Sequence, residues 1–123
     1  MSGDYKDLRV WQDARILVGE IYRLTRGFPK EELFGLTSQM RRSAVSVPSN
    51  IAEGKGRHSA RELAQFLYRA RGSLLELETQ ILISSDLGFV TQSTTTTITE
   101  KIKKLACTLN SLINRVQEGI DKR

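Results

Sequence analysis

The sequence predicts an all-α protein, an antiparallel up-and-down four-helix bundle built as a single domain over residues 1–123. Three observations predict it. Apolar residues recur at steps of three and four in four separate segments. Two prolines in 123 residues, with few clustered turn signals, favour long helices over many short strands. Hydrophobic residues at 39% and charged residues at 27% suit one soluble core. Short connections between four such helices favour antiparallel neighbours.

The first helix is predicted over about residues 8–26, where Val10, Ala14, Leu17, Val18, Ile21, Leu24 and Thr25 share a face flanked by Trp11 and Tyr22. Gly27 ends it and Phe28-Pro29 blocks continuation. The second is predicted over about 31–54, with Glu31 and Glu32 in its first turn and Leu36, Met40, Ala44, Val47 and Ile51 as its stripe. Pro48 lies inside that stripe and removes the backbone bond to Ala44, which predicts a kink or a stop just before it. Gly54 and Gly56 mark the end.

The third helix, over about 60–86, has the strongest start signal, Ser59-Ala60-Arg61-Glu62, which reads as a capping box. Gly88 terminates it. Leu63, Phe66, Leu67, Ala70, Leu74, Leu77 and Ile81 form its core stripe, and Ala64, Tyr68, Leu75 and Leu82 form a second. The fourth helix is predicted over about 94–119, with a seam of Ile98, Ile102, Leu105, Leu109, Leu112 and Val116. The run Thr94 to Thr97 is β-branched and predicts a late or frayed start. The second stripe of the third helix, joined by Val45 and Ala52, predicts a surface for another subunit, so Val45, Ala52, Ala64, Tyr68, Leu75 and Leu82 are the candidate interface. The alternative is that the third helix is simply the most buried one.

The net charge of +5 is concentrated. Residues 41–71 carry seven bases (Arg41, Arg42, Lys55, Arg57, Arg61, Arg69 and Arg71) against Glu53 and Glu62, and the rest of the chain balances to zero. Such a local excess attracts polyanions, and these seven are the candidate nucleic-acid contacts. On a helical wheel Ser38, Arg42, Ser46, Ser49 and Glu53 share the face opposite the core, where small hydroxyls beside a guanidinium leave room for a phosphate. The alternative is a polar bundle face with Arg41 or Arg42 pairing an acid on another helix. The segment Glu53-Gly54-Lys55-Gly56-Arg57-His58-Ser59, leading into a helix N-terminus, can hold an anion or be an ordinary turn. It lacks the spacing of a Walker loop.

Chemistry-bearing sets are missing from the sequence. His58 is the only histidine and Cys107 the only cysteine, neither with a partner that a metal site or nucleophile needs. Glu76 and Glu78, two apart on a helix, face different ways. No cofactor, no metal and no catalysis are expected. No apolar run approaches the roughly 20 residues that span a bilayer. The polar start MSGDYKDLRVWQD is unlike a signal or transit peptide, and a lone cysteine suits a reducing cytoplasm, so a cytoplasmic location away from membranes is expected.

Leu8-Arg9-Val10-Trp11-Gln12-Asp13-Ala14, Phe28-Pro29-Lys30-Glu31-Glu32 and the long block from Gly35 through Arg41-Arg42-Ser43-Ala44-Val45-Ser46-Val47-Pro48-Ser49-Asn50-Ile51-Ala52-Glu53-Gly54 resemble one family. It is the 23S rRNA intervening-sequence proteins, also labelled S23 ribosomal proteins. The resemblance continues through Glu62-Leu63 and Phe66-Leu67 to Leu87-Gly88, covering about residues 8–90. It implies a four-helix subunit that assembles into a homopentamer. The family name records inserts in bacterial 23S rRNA genes and does not imply a ribosomal component. A related family, the accessory proteins of diversity-generating retroelements, is a basic pentamer that binds nucleic acid and a reverse transcriptase. By that analogy the expected partners are copies of this chain and RNA or other nucleic acid, the alternative being a scaffold whose basic segment serves assembly or an acidic protein.

Overall fold

In the computed structural model, residues 4–122 are described, and residues 1–3 of the polar start and residue 123 lie outside them. The described residues form four α-helices: α1 (Arg9–Thr25), α2 (Leu36–Lys55), α3 (Ala60–Asp86) and α4 (Gln92–Asp121). Short 3-10 turns occupy Tyr5–Asp7 and Lys30–Glu32, and no strand occurs among the described residues. All four helices send their stripes into one cluster, in which Ile21, Met40, Val47, Ile51, Leu67, Leu74, Leu77, Ile81 and Leu109 are fully buried.

α1 ends as its sequence predicts. The Thr25 hydroxyl donates back to the Ile21 carbonyl at 2.8 Å, and the Gly27 and Phe28 amides close the last turn on Leu24 and Thr25. α2 begins later than the pattern predicts. Glu31 and Glu32 belong to the 3-10 turn, and Gly35 separates that turn from the helix. Glu32 still serves the helix start, because its Oε1 accepts from the Leu36 amide at 3.1 Å.

Pro48 does not stop α2, which runs on through it to Lys55. A proline inside a helix costs about 3 kcal/mol. Val47 and Ile51, both fully buried on either side of it, each contribute roughly 1.5–3 kcal/mol. Burial therefore outweighs the local penalty. Gly56 caps the helix end as expected, and Gly54, in the last turn, faces α3.

Ser59 caps α3, its Oγ accepting from the Glu62 amide at 3.1 Å. At the other end Gly88 takes φ +81°, and the Phe89 amide reaches back to the Ser84 carbonyl at 2.9 Å, closing a Schellman-type cap. Phe89 then meets Phe28 at 5.5 Å between ring centroids, which joins the α1–α2 and α3–α4 connections.

The threonine run does not delay α4. Thr91 is the N-cap, its hydroxyl accepting from the Thr94 amide at 3.1 Å. Thr95, Thr97 and Thr99 donate back to the carbonyls of Thr91, Ser93 and Thr95, which satisfies hydroxyls that otherwise compete with the helix. The seam of α4 also drifts: Ile113 is buried where Leu112 and Val116 are half-buried. A strict seven-residue pattern rotates about 20° per heptad on a straight helix, so burial passes to the next residue along.

Candidate functional site

The seven basic residues divide by what holds them. Arg41 turns inward toward α1. Its guanidinium lies 4.6 Å from the Tyr22 ring centroid, and its Nε donates to the Thr25 hydroxyl at 2.8 Å. Arg71 turns toward α4, lying 4.9 Å from the Tyr68 ring and donating to Asn110 Oδ1 at 3.2 Å. These two arginines tie helices together.

Arg42, Arg57, Arg61 and Arg69 are exposed, and Lys55 is half-buried in the last turn of α2. Arg57 and Arg69 converge on one ring, Phe66, at 4.8 and 4.7 Å from its centroid. Arg57 also pairs with Glu53 at 2.8 Å, four residues back. In the loop from Glu53 to Ser59, Arg57 is thus paired with Glu53 and the Glu62 amide is capped by Ser59.

The hydroxyl face of α2 does not remain whole. Ser46 is half-buried between helices, its Oγ 2.8 Å from Ser73 Oγ of α3, and Asn50 donates to the Ser46 carbonyl and hydroxyl. Arg42, Ser49 and Glu53 stay exposed. A helical wheel of α2 puts Ser46 opposite the core but holds no position for α3, and α3 approaches on that side.

The six interface candidates also separate. Val45 sits beside Tyr22, Leu33, Phe34 and Arg42 in a cleft on the α1–α2 side. Tyr68 lies toward α4 with Arg71, and Leu75 and Leu82 continue that face of α3 while remaining exposed. Ala52 is half-buried, and Ala64 is 4% exposed within the subunit itself.

Three features escape the sequence pattern. Phe34 is 92% exposed at the rim of the Val45 cleft. Ile16, off the α1 stripe, is 62% exposed in a groove of about 980 Å³ between α1 and α4. That groove mixes charges, with Lys103 and Lys104 beside Asp13 and an ion pair from Lys101 to Glu20. The exposed Cys107 also lines it. The signal for the first two is an apolar residue outside every stripe. The third arises because α4 cations lie opposite α1 acids, which the zero balance of the chain outside residues 41–71 conceals.

No helix among the described residues is long and apolar enough to cross a membrane. No group of three or more histidine, cysteine, aspartate or glutamate residues is placed among them to hold a metal ion. No curated protein matches the chain. A family model described as 23S rRNA-intervening sequence protein matches residues 6–111, extending past the 8–90 resemblance well into α4.

Proposed function

Because the chain belongs to the 23S rRNA-intervening sequence protein family, we propose that it is a non-catalytic, cytoplasmic homo-oligomer, a pentamer on the resemblance, whose basic surface binds structured RNA or other nucleic acid. One observation carries the reading. The whole net charge lies within residues 41–71, and Arg42, Arg57, Arg61 and Arg69 from that segment are each exposed, on α2, α3 and the turn between them. Guanidinium groups in that setting suit phosphate oxygens.

The helices run up and down, each antiparallel to the next. Contacts between α2 and α3 support this, since Gly54 meets Phe66, Ser46 meets Ser73 and Met40 meets Ser84, so one chain descends as the other climbs. Assembly uses two apolar patches rather than one. Val45 with Leu33 and Phe34 forms the first, on the α1–α2 side, and Tyr68, Leu75 and Leu82 form the second, on the α4 side of α3. Two different patches on one subunit favour head-to-tail contacts, which close into rings.

Binding of a labelled structured RNA, followed by fluorescence anisotropy on protein of known assembly mass, tests the nucleic-acid reading. Affinity falls steeply with salt, by about 0.7–0.9 in log K per unit log salt for each phosphate neutralised. Arg57→Ala with Arg61→Ala weakens binding and leaves the assembly mass unchanged. No binding at low salt overturns the reading. Arg41 and Arg71, which already pair inside the subunit, then favour the second one: a scaffold whose basic segment serves assembly and an acidic protein partner.

A further inference from the structure

We propose that Arg57 and Arg69, held on the ring of Phe66, form a clamp that seats one phosphodiester of a bound nucleic acid. The inference rests on the nucleic-acid reading above and names where in the basic segment the phosphate goes. Both guanidinium carbons lie close to one ring centroid, at 4.8 and 4.7 Å, so they are no farther apart than the sum of those distances. The unesterified oxygens of a single phosphodiester can accept from both.

The ring is a firm support. Phe66 is half-buried, and the α2 backbone closes on it so tightly that a methyl group at Gly54 would stand 2.7 Å from the Phe66 Cβ. Contact with a ring leaves a guanidinium with N–H donors for a ligand. Its side chain has already given up freedom against the ring, so less is forfeited on binding. Arg57 gives one donor nitrogen to Glu53 and has others to spare, since a guanidinium carries five N–H donors. Exposed Arg61 lies in the first turn of α3, four residues on from Arg57.

Arg41 and Arg71 are different. Each is half-buried, stacked on a tyrosine and bonded to a neighbouring helix. Seven cations equal in the sequence are therefore unequal in the fold, with the clamp at the α2–α3 end taking the phosphate.

The test is a salt series of RNA-hairpin anisotropy on the full assembly. It compares Arg57→Gln/Arg69→Gln with Arg41→Gln/Arg71→Gln, and melting curves establish that each variant is folded. The clamp pair loses about tenfold or more in affinity, and its salt slope drops by about 0.7–0.9 for each phosphate that is no longer neutralised. The tie pair keeps the slope and melts earlier. Phe66→Leu, which keeps an apolar side chain under the arginines, weakens binding severalfold with the slope retained. Wild type that binds RNA while the clamp pair keeps wild-type affinity and slope overturns the clamp alone. Wild type that binds no RNA at low salt removes the nucleic-acid reading and the clamp with it. Equal binding of poly-glutamate by wild type, abolished in the clamp pair, overturns the phosphate assignment in favour of an acidic polypeptide.

Discussion

Gly54 and Phe66 bring α2 and α3 into close approach. A Cβ at Gly54 would stand 2.7 Å from the Phe66 Cβ, 3.2 Å from a Leu63 methyl and 3.3 Å from the Leu63 carbonyl oxygen. Two of these three neighbours are held by the α3 backbone and cannot swing away. Glycine inside a helix normally costs about 1 kcal/mol relative to alanine, and here that cost permits the approach that positions the Phe66 ring.

Gly54→Ala is therefore expected to destabilise the protein. Overpacking of this kind costs about 1–3 kcal/mol, and the gain in helix propensity of about 1 kcal/mol offsets only part of it. Gly119→Ala is the control. Gly119 lies within α4 with nothing among the described residues within 4 Å of an added Cβ, so a propensity gain of up to about 0.5–1 kcal/mol is realised. Urea unfolding of the two variants should shift the midpoint in opposite directions. A stabilised Gly54→Ala would mean that α2 and α3 have room to separate.

The start of α4 depends on Thr91. Its hydroxyl accepts from the Thr94 amide and its carbonyl from the Thr95 hydroxyl, so one residue organises a β-branched run that is poor at forming helix. Thr91→Ala removes the cap and should cost about 1 kcal/mol. The loss should be local first, seen as faster amide exchange at residues 94–97 than in wild type, before any change in the melting temperature.

These cases show what a single sequence conveys about the fold. The stripes of α1 and α3, the Ser59 cap and the Gly88 stop were legible because they depend on spacing and on residues adjacent in the chain. The sequence leaves open whether α2 passes through Pro48 or stops before it, because that depends on Val47 and Ile51 being buried by other helices. The site was less legible than the fold. The charge excess pointed to one segment, but nothing in it distinguished Arg41 and Arg71, which meet Thr25 and Asn110 across helices, from Arg57 and Arg69. Ser46 left the polar face for the same reason, since its partner Ser73 lies 27 residues away.

Gln80 offers a stabilising substitution. It is 6% exposed, and its Oε1 has no hydrogen-bond partner among the described residues. A buried acceptor left unpaired costs about 1–3 kcal/mol. Gln80→Met keeps a flexible chain of similar length and removes the polar amide, so thermal unfolding should move to higher temperature. A lower melting temperature would show that the amide contributes through its nitrogen more than its oxygen costs.

The two-patch assembly makes a prediction that a one-patch assembly does not. Val45→Asp places a charge in the α1–α2 patch and leaves the α3 patch intact, and Leu75→Asp does the reverse. Both side chains are exposed in the subunit, Val45 at 39% and Leu75 at 56%, so each variant should fold with wild-type helix content by circular dichroism. In a head-to-tail assembly each variant alone sediments as a monomer. Mixed in equal amounts, they pair through the one intact patch on each and stop at a dimer, because both outer patches carry a charge. In a face-to-face assembly like patches meet, so each variant alone keeps its uncharged patch and sediments as a dimer. Sedimentation of the single variants separates the two arrangements, and wild-type mass in both would remove these patches from the interface.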